Sequence, residues 1–144
     1  MNTKTPYILL LATFLLTGVA VIPSTEASEK APIEIPTTIA AIWQAIDQQS
    51  AELAKLIQAG TLGDVHHHAF AIRDLSAALP THAEQLSAEQ RKQVELQVKF
   101  VVTLTQRLDA SGDSNDRAGA ESNFGKLQVV LSTLRKASIT NGEK

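Results

Sequence analysis

Four stretches of this chain repeat apolar residues every three to four positions, and no stretch alternates them every second position. A period of 3.6 describes one face of a helix, and a period of 2 describes one face of a strand. The chain therefore has four amphipathic helices to bury and no sheet to bury them on. The first predicted helix starts at Thr37 or Thr38, either of which can cap it, and ends at Gly60. Its apolar face is Ile39, Ile42, Trp43, Ile46, Leu53, Leu56 and Ile57. The second starts at Thr61 as N-cap, with Asp64 in the reciprocal capping-box position, and stops at Pro80. Its face is Leu62, Val65, Ala69, Ile72, Leu75 and Leu79. The third starts at Ser87, which pairs with Gln90 in a capping box. It carries Val94, Val98, Val101, Leu104 and Leu108, widened by Phe100 and Val102, and ends at Gly112. The fourth follows the polar turn 109–116 and runs to Ala137, with Ala120, Phe124, Leu127, Val130, Leu131 and Leu134 inward.

Short connections between helices of this length make antiparallel neighbours. The expectation is an all-α, up-down-up-down antiparallel four-helix bundle spanning residues 37–140. Trp43 and Phe124 fit as core anchors. The preceding segment 28–36, with Pro32 and Pro36, reads as a linker.

Residues 1–27 read as a cleaved signal peptide. Lys4 supplies a positive start, residues 7–21 form an almost unbroken apolar run, and Thr25-Glu26-Ala27 offers a small-residue cleavage site. That run is shorter than the ~20 residues a bilayer span needs. The alternative is an uncleaved anchor. No Cys follows the run, which excludes a lipoprotein. Removing Lys4 and Glu26 with the leader takes away one charge of each sign, so the net charge of −2 persists. The expected localisation is periplasmic, with no membrane association after cleavage. A near-neutral mixed surface gives no basic footprint for nucleic acid.

The chain has no cysteine. That removes disulfides, thiolate metal sites, iron–sulfur clusters, covalent c-type haem and cysteine nucleophiles. No haem of b type is expected either. The single Met is Met1, and the four histidines lie on one helix and the loop after it, so no pair faces across a ring. The acidic turn fails as a calcium loop: aligned from Asp109, the required Gly falls on Ser114 and the bidentate Glu on Ala120. No nucleophile elbow and no Gly-rich phosphate loop is present, and the expectation is a non-enzymatic protein.

The remaining chemistry is in Asp64-Val65-His66-His67-His68. Imidazole is the commonest metal ligand. On a helical wheel His68 projects at one edge of the apolar stripe, His66 at the other and His67 towards solvent, so the three fan out. Ligands on one helix need i, i+3 or i+4 spacing. Asp64–His67 and Asp64–His68 satisfy it and could hold Zn²⁺, Cu²⁺, Ni²⁺ or Co²⁺, with water or a second helix completing the site. Asp64, His66, His67 and His68 are thus the candidate metal ligands. The plainer reading makes Asp64 a cap and the histidines surface or edge residues. His82 lies roughly 20 Å further along at 1.5 Å per residue and belongs to no common site. Arg73 and Asp74 are placed to pair with neighbouring helices.

Two stretches, Val65-His66-His67-His68-Ala69-Phe70-Ala71-Ile72-Arg73-Asp74-Leu75 and residues 99–113 from Lys99-Phe100-Val101 to Ser111-Gly112-Asp113, resemble a group of small exported bacterial helical proteins associated with heavy-metal efflux and resistance. The resemblance covers most of residues 38–136, and His66 matches the group's Val-His-x-x-Ala-Phe pattern. Leu86-Ser87-Ala88-Glu89-Gln90 is similar to the Leu-Thr-x-x-Gln motif of periplasmic stress chaperones and metal sensors, with Ser for Thr and in a single copy. The resemblances imply an envelope protein that binds or buffers a divalent or copper ion beside an efflux system. The alternative they leave open is a chaperone-like or adaptor module with incidental histidines. Either could work as a homodimer.

Overall fold

The computed structural model describes residues 33–82 and 85–139. Among them are four α-helices, one short 3-10 turn and no strand: α1 (Ile39–Ala59), the 3-10 turn (Leu62–Asp64), α2 (Val65–His82), α3 (Ala88–Asp113) and α4 (Arg117–Ser138). This all-helical arrangement is consistent with a four-helix bundle. The signal and cleavage reading of residues 1–27 lies outside the described residues, as does most of the 28–36 linker.

Helix starts follow the capping logic of the sequence in three cases of four. The Thr38 hydroxyl accepts from the Ala41 N–H, and Asp116 accepts from Gly119 at 2.9 Å. Ser87 and Gln90 complete the reciprocal box at 3.2 and 3.0 Å. Each bond satisfies one of the amide donors that a helix start leaves open. The second helix departs from the pattern. Thr61 caps nothing; its hydroxyl donates back to the Leu56 carbonyl. Asp64 lies inside a 3-10 turn that leads straight into α2, so the turn's own hydrogen bonding replaces a side-chain cap.

Helix ends depart more. Gly60 stops α1 in the left-handed conformation at φ 72°, with Thr61 N–H donating to Leu56 and Gly60 N–H to Ile57. Pro80 does not stop α2, which continues to His82. A proline so near the end costs only one late hydrogen bond. Gly112 does not stop α3, which continues through Asp113; Asn115 takes the left-handed position at φ 51° instead. Asp116 and Asn115 then donate to the carbonyls of Ser111 and Gly112.

Gly112 has another reason to be glycine. A Cβ there would meet the Leu62 carbonyl oxygen at 2.9 Å and the Val65 Cβ at 3.6 Å. The turn between α1 and α2 lies directly on α3 at this point. Leu62 and Val65, on either side of the contact, are buried.

The core is the predicted set with small losses. Ile42, Trp43, Ile46, Leu53 and Ile57 are buried from α1, and all six predicted residues of the second helix are buried. Val94, Val101, Leu104 and Leu108 come from α3, and Ala120, Leu127, Leu131 and Leu134 from α4. Phe124 and Val130 pack against this core only partly buried. Phe100 does not widen it: 48% of its surface is exposed, and Leu96, one turn before, is 45% exposed. Among the described residues no helix is long and apolar enough to cross a membrane.

Besides the Asp47–Arg135 ion pair, two hydrogen bonds towards the ends of the seam tie α1 to α4. The Trp43 Nε1–H donates to Ser138 Oγ at 3.0 Å, and Arg117 Nη2 donates to the Gln58 carbonyl at 3.0 Å. Between these ties the α1–α4 seam is the most sparsely packed of the four between helices.

Gly112→Ala is expected to destabilise the protein by about 1–3 kcal/mol, because the added methyl forces backbone apart from backbone. Helix propensity alone would make the same change stabilising by about 1 kcal/mol. Urea denaturation gives the sign, and a more stable variant would mean the turn does not press on α3.

Candidate metal site

The 3-10 turn and the first turn of α2 set the histidine geometry. His66 sits three residues after Gly63, and its Nδ1 lies 3.0 Å from the Gly63 carbonyl oxygen. A carbonyl can only accept, so Nδ1 carries the proton in this bond. In the neutral ring the lone pair is then on Nε2, which is the tautomer a metal ligand needs, with the other nitrogen held by a backbone carbonyl.

His67 does not stand apart from His66. The ring centroids are 3.9 Å apart with planes tilted by 41°. The wheel separates neighbouring Cα directions by 100°, but rotation about the side-chain bonds brings the two rings back together. The fan expected from backbone direction holds for the Cβ atoms and fails for the imidazoles. A tetrahedral ion with bonds near 2.0–2.1 Å needs its nitrogens roughly 3.3 Å apart. The two rings touch, and rotation about their side-chain bonds would turn both lone pairs onto one ion. All three histidines of the run are half-buried.

His68 is engaged differently. Its Nδ1 meets Gln49 Oε1 at 2.7 Å, a bond from α2 to α1. Sequence reasoning placed His68 correctly at an edge of the apolar stripe but missed Gln49. The available signal was Gln49's position three residues beyond Ile46 and four before Leu53, at the edge of the facing stripe. Asp64 is exposed and makes no hydrogen bond among the described residues. His82 is at the far end of α2.

Two further residues extend the His66–His67 pair into a strip. The Phe70 ring meets His66 edge-on at 6.5 Å between centroids, and the Arg73 guanidinium sits over Phe70 at 4.4 Å. The i+4 and i+3 spacings make this chain of contacts a property of one helix face. Arg73 Nε also pairs with Asp74 Oδ1 at 2.7 Å. The two residues thus pair with each other and not with neighbouring helices.

The structure brings together His66 and His67, directs His68 to Gln49 and leaves Asp64 in solvent. Among the described residues no three His, Asp or Glu side chains gather into a ready metal cage. The arrangement offers two imidazoles on a half-buried surface, one with its tautomer set, and open sides where water or another chain can reach.

Comparison with known proteins adds no relative: no family model, curated protein or solved structure matches the chain.

Proposed function

We propose that the protein is a non-enzymatic periplasmic helical bundle that binds or buffers a divalent or copper ion beside a heavy-metal efflux system, through His66 and His67. The observation that carries this reading is the Gly63 carbonyl holding His66 Nδ1 while the His67 ring lies against it. The fixed tautomer leaves the His66 Nε2 lone pair free for an ion. Two imidazoles suit Cu²⁺, Zn²⁺, Ni²⁺ or Co²⁺ and exclude a preference for Mg²⁺ or Ca²⁺, which take oxygen. The remaining positions go to water, to Asp64 after a side-chain rotation, or to a partner.

An export leader in residues 1–27 supports the compartment, and the absence of cysteine supports an imidazole site over a thiolate one. An up-down-up-down order is supported by the two ties between α1 and α4. Trp43, near the start of α1, meets Ser138 at the end of α4, and Gln58, near the end of α1, meets Arg117 at the start of α4. In that topology the histidine turn sits at the end of the bundle where α1 hands over to α2, reachable by an efflux component.

Calorimetric titration of the protein with Cu²⁺, Zn²⁺, Ni²⁺ and Co²⁺ tests the reading. Stoichiometric, sub-micromolar binding of at least one ion is expected. His66→Ala and His67→Ala should each weaken it by about tenfold or more, about 1.4 kcal/mol, and His68→Ala by less. Affinity of tens of micromolar that ignores which histidine is removed would sink it.

One observation favours a second reading, the protein-interaction module. Leu96 and Phe100 are half-exposed and lie four residues apart on α3, so they share a face. If that face joins two chains or holds a client, sedimentation should show a dimer, or suppression of client aggregation without metal, that Phe100→Asp abolishes. A monomer without such activity removes this reading.

A further inference from the structure

Between its two ties, the α1–α4 seam encloses a half-open cleft of about 230 Å³. Its walls are two i, i+3, i+4, i+7 stripes: Trp43, Ile46, Asp47 and Ser50 face Gln128, Leu131, Ser132 and Arg135. Elsewhere in the core such stripes are filled by Leu, Ile and Val. Here Ser50 and Ser132 put short side chains on the two walls, beside a gap. Its volume is about that of eight water molecules at ~30 Å³ each.

Two features of the cleft point to a ligand. Arg135 pairs with Asp47 at the mouth, and its guanidinium lies over the Trp43 ring at 4.5 Å. Stacking on Trp43 holds the guanidinium in place while most of its five donors remain for another acceptor. The Arg135–Asp47 pair is well exposed, 40% and 60%, so it is held weakly and is open to exchange.

The mouth thus carries one positive and one negative group side by side, and its charges cancel. A ligand of either net charge would leave one of them facing its own sign. A ligand with both charges satisfies both. We propose that the α1–α4 cleft binds a small zwitterion of the α-amino acid class. Its carboxylate takes donors of Arg135, its ammonium takes the Asp47 carboxylate, and its side-chain end lies in the cleft between the two stripes. This site is separate from the histidine strip and does not depend on metal binding.

Trp43 is the only tryptophan in the chain, so intrinsic fluorescence reports on this cleft alone. Serine, alanine and leucine are titrated into the full protein, each beside its N-acetyl derivative and its methyl ester. A saturable change in Trp43 emission is expected for at least one free amino acid, with both capped forms weaker by about tenfold or more. Asp47→Asn should weaken the free amino acid and remove the penalty of N-acetylation, a coupling that general loss of structure cannot mimic. Arg135→Gln should do the same for the ester. No saturable response up to about 10 mM, weaker than any specific site of this kind, would overturn the proposal. So would equal responses to free and capped forms, or an N-acetyl penalty that persists in Asp47→Asn.

Discussion

The close approach of the Leu62 carbonyl to Gly112 governs more of this molecule than any other contact. Backbone lies on backbone there, because a Cβ at position 112 would stand 2.9 Å from that oxygen. The contact pins the α1–α2 connection onto α3. It buries Leu62 and Val65 on either side, and it leaves the intervening Gly63 and Asp64 facing outward. The turn therefore cannot relax into regular α-helix without lifting Leu62 from the core. From that follows the 3-10 geometry, and from the 3-10 geometry follows a Gly63 carbonyl within reach of His66. The geometry of the histidine turn is set by packing against Gly112, 46 residues beyond His66 in the chain, on a helix that carries no histidine of the run.

The two seams that involve α1 show how the same packing rule can give opposite results. Along α2, the edge residues Gln49 and His68 are long enough to meet, and they close the interface with a short hydrogen bond. Along α4, the edge residues Ser50 and Ser132 are short, and they lie beside a gap. Side-chain length at the border of the apolar stripe thus differs between the seam that seals and the seam that leaves a cleft. The ends of the α4 seam are nonetheless held, by Trp43 with Ser138 and by Arg117 with Gln58, and the opening runs along the first half of α1 from Trp43 to Ser50.

Much of the architecture was legible in the sequence because it depends on local rules. Helical period placed the four helices, and the caps at Thr38, Ser87 and Asp116 act as hydrogen-bond chemistry dictates. The errors share a cause, which is that single residues were read without their tertiary neighbours. Gly112 looks like a helix stop and is a crossing point. Pro80 looks like a helix stop and sits two residues before one. Phe100 looks like core and faces outward, because α3's buried stripe is already complete without it. The histidine run is the metal-site candidate the sequence offers, but the contact between the His66 and His67 rings is not legible in it: backbone directions set 100° apart do not keep two mobile rings apart. Nothing in the spacing indicated the Gly63 carbonyl, which depends on the turn being 3-10. The Asp47–Arg135 pair was equally hidden, since it joins positions far apart in the chain.

X-ray absorption spectroscopy on the protein loaded with one equivalent of Cu²⁺ or Zn²⁺ tests the central claim most directly. Imidazole rings have a distinctive multiple-scattering pattern, so their number at the metal can be counted. The account predicts two imidazoles per ion at about 2.0 Å, falling to one in His66→Ala, with oxygen in the remaining positions. An all-oxygen shell, or a spectrum unchanged by His66→Ala, would contradict it.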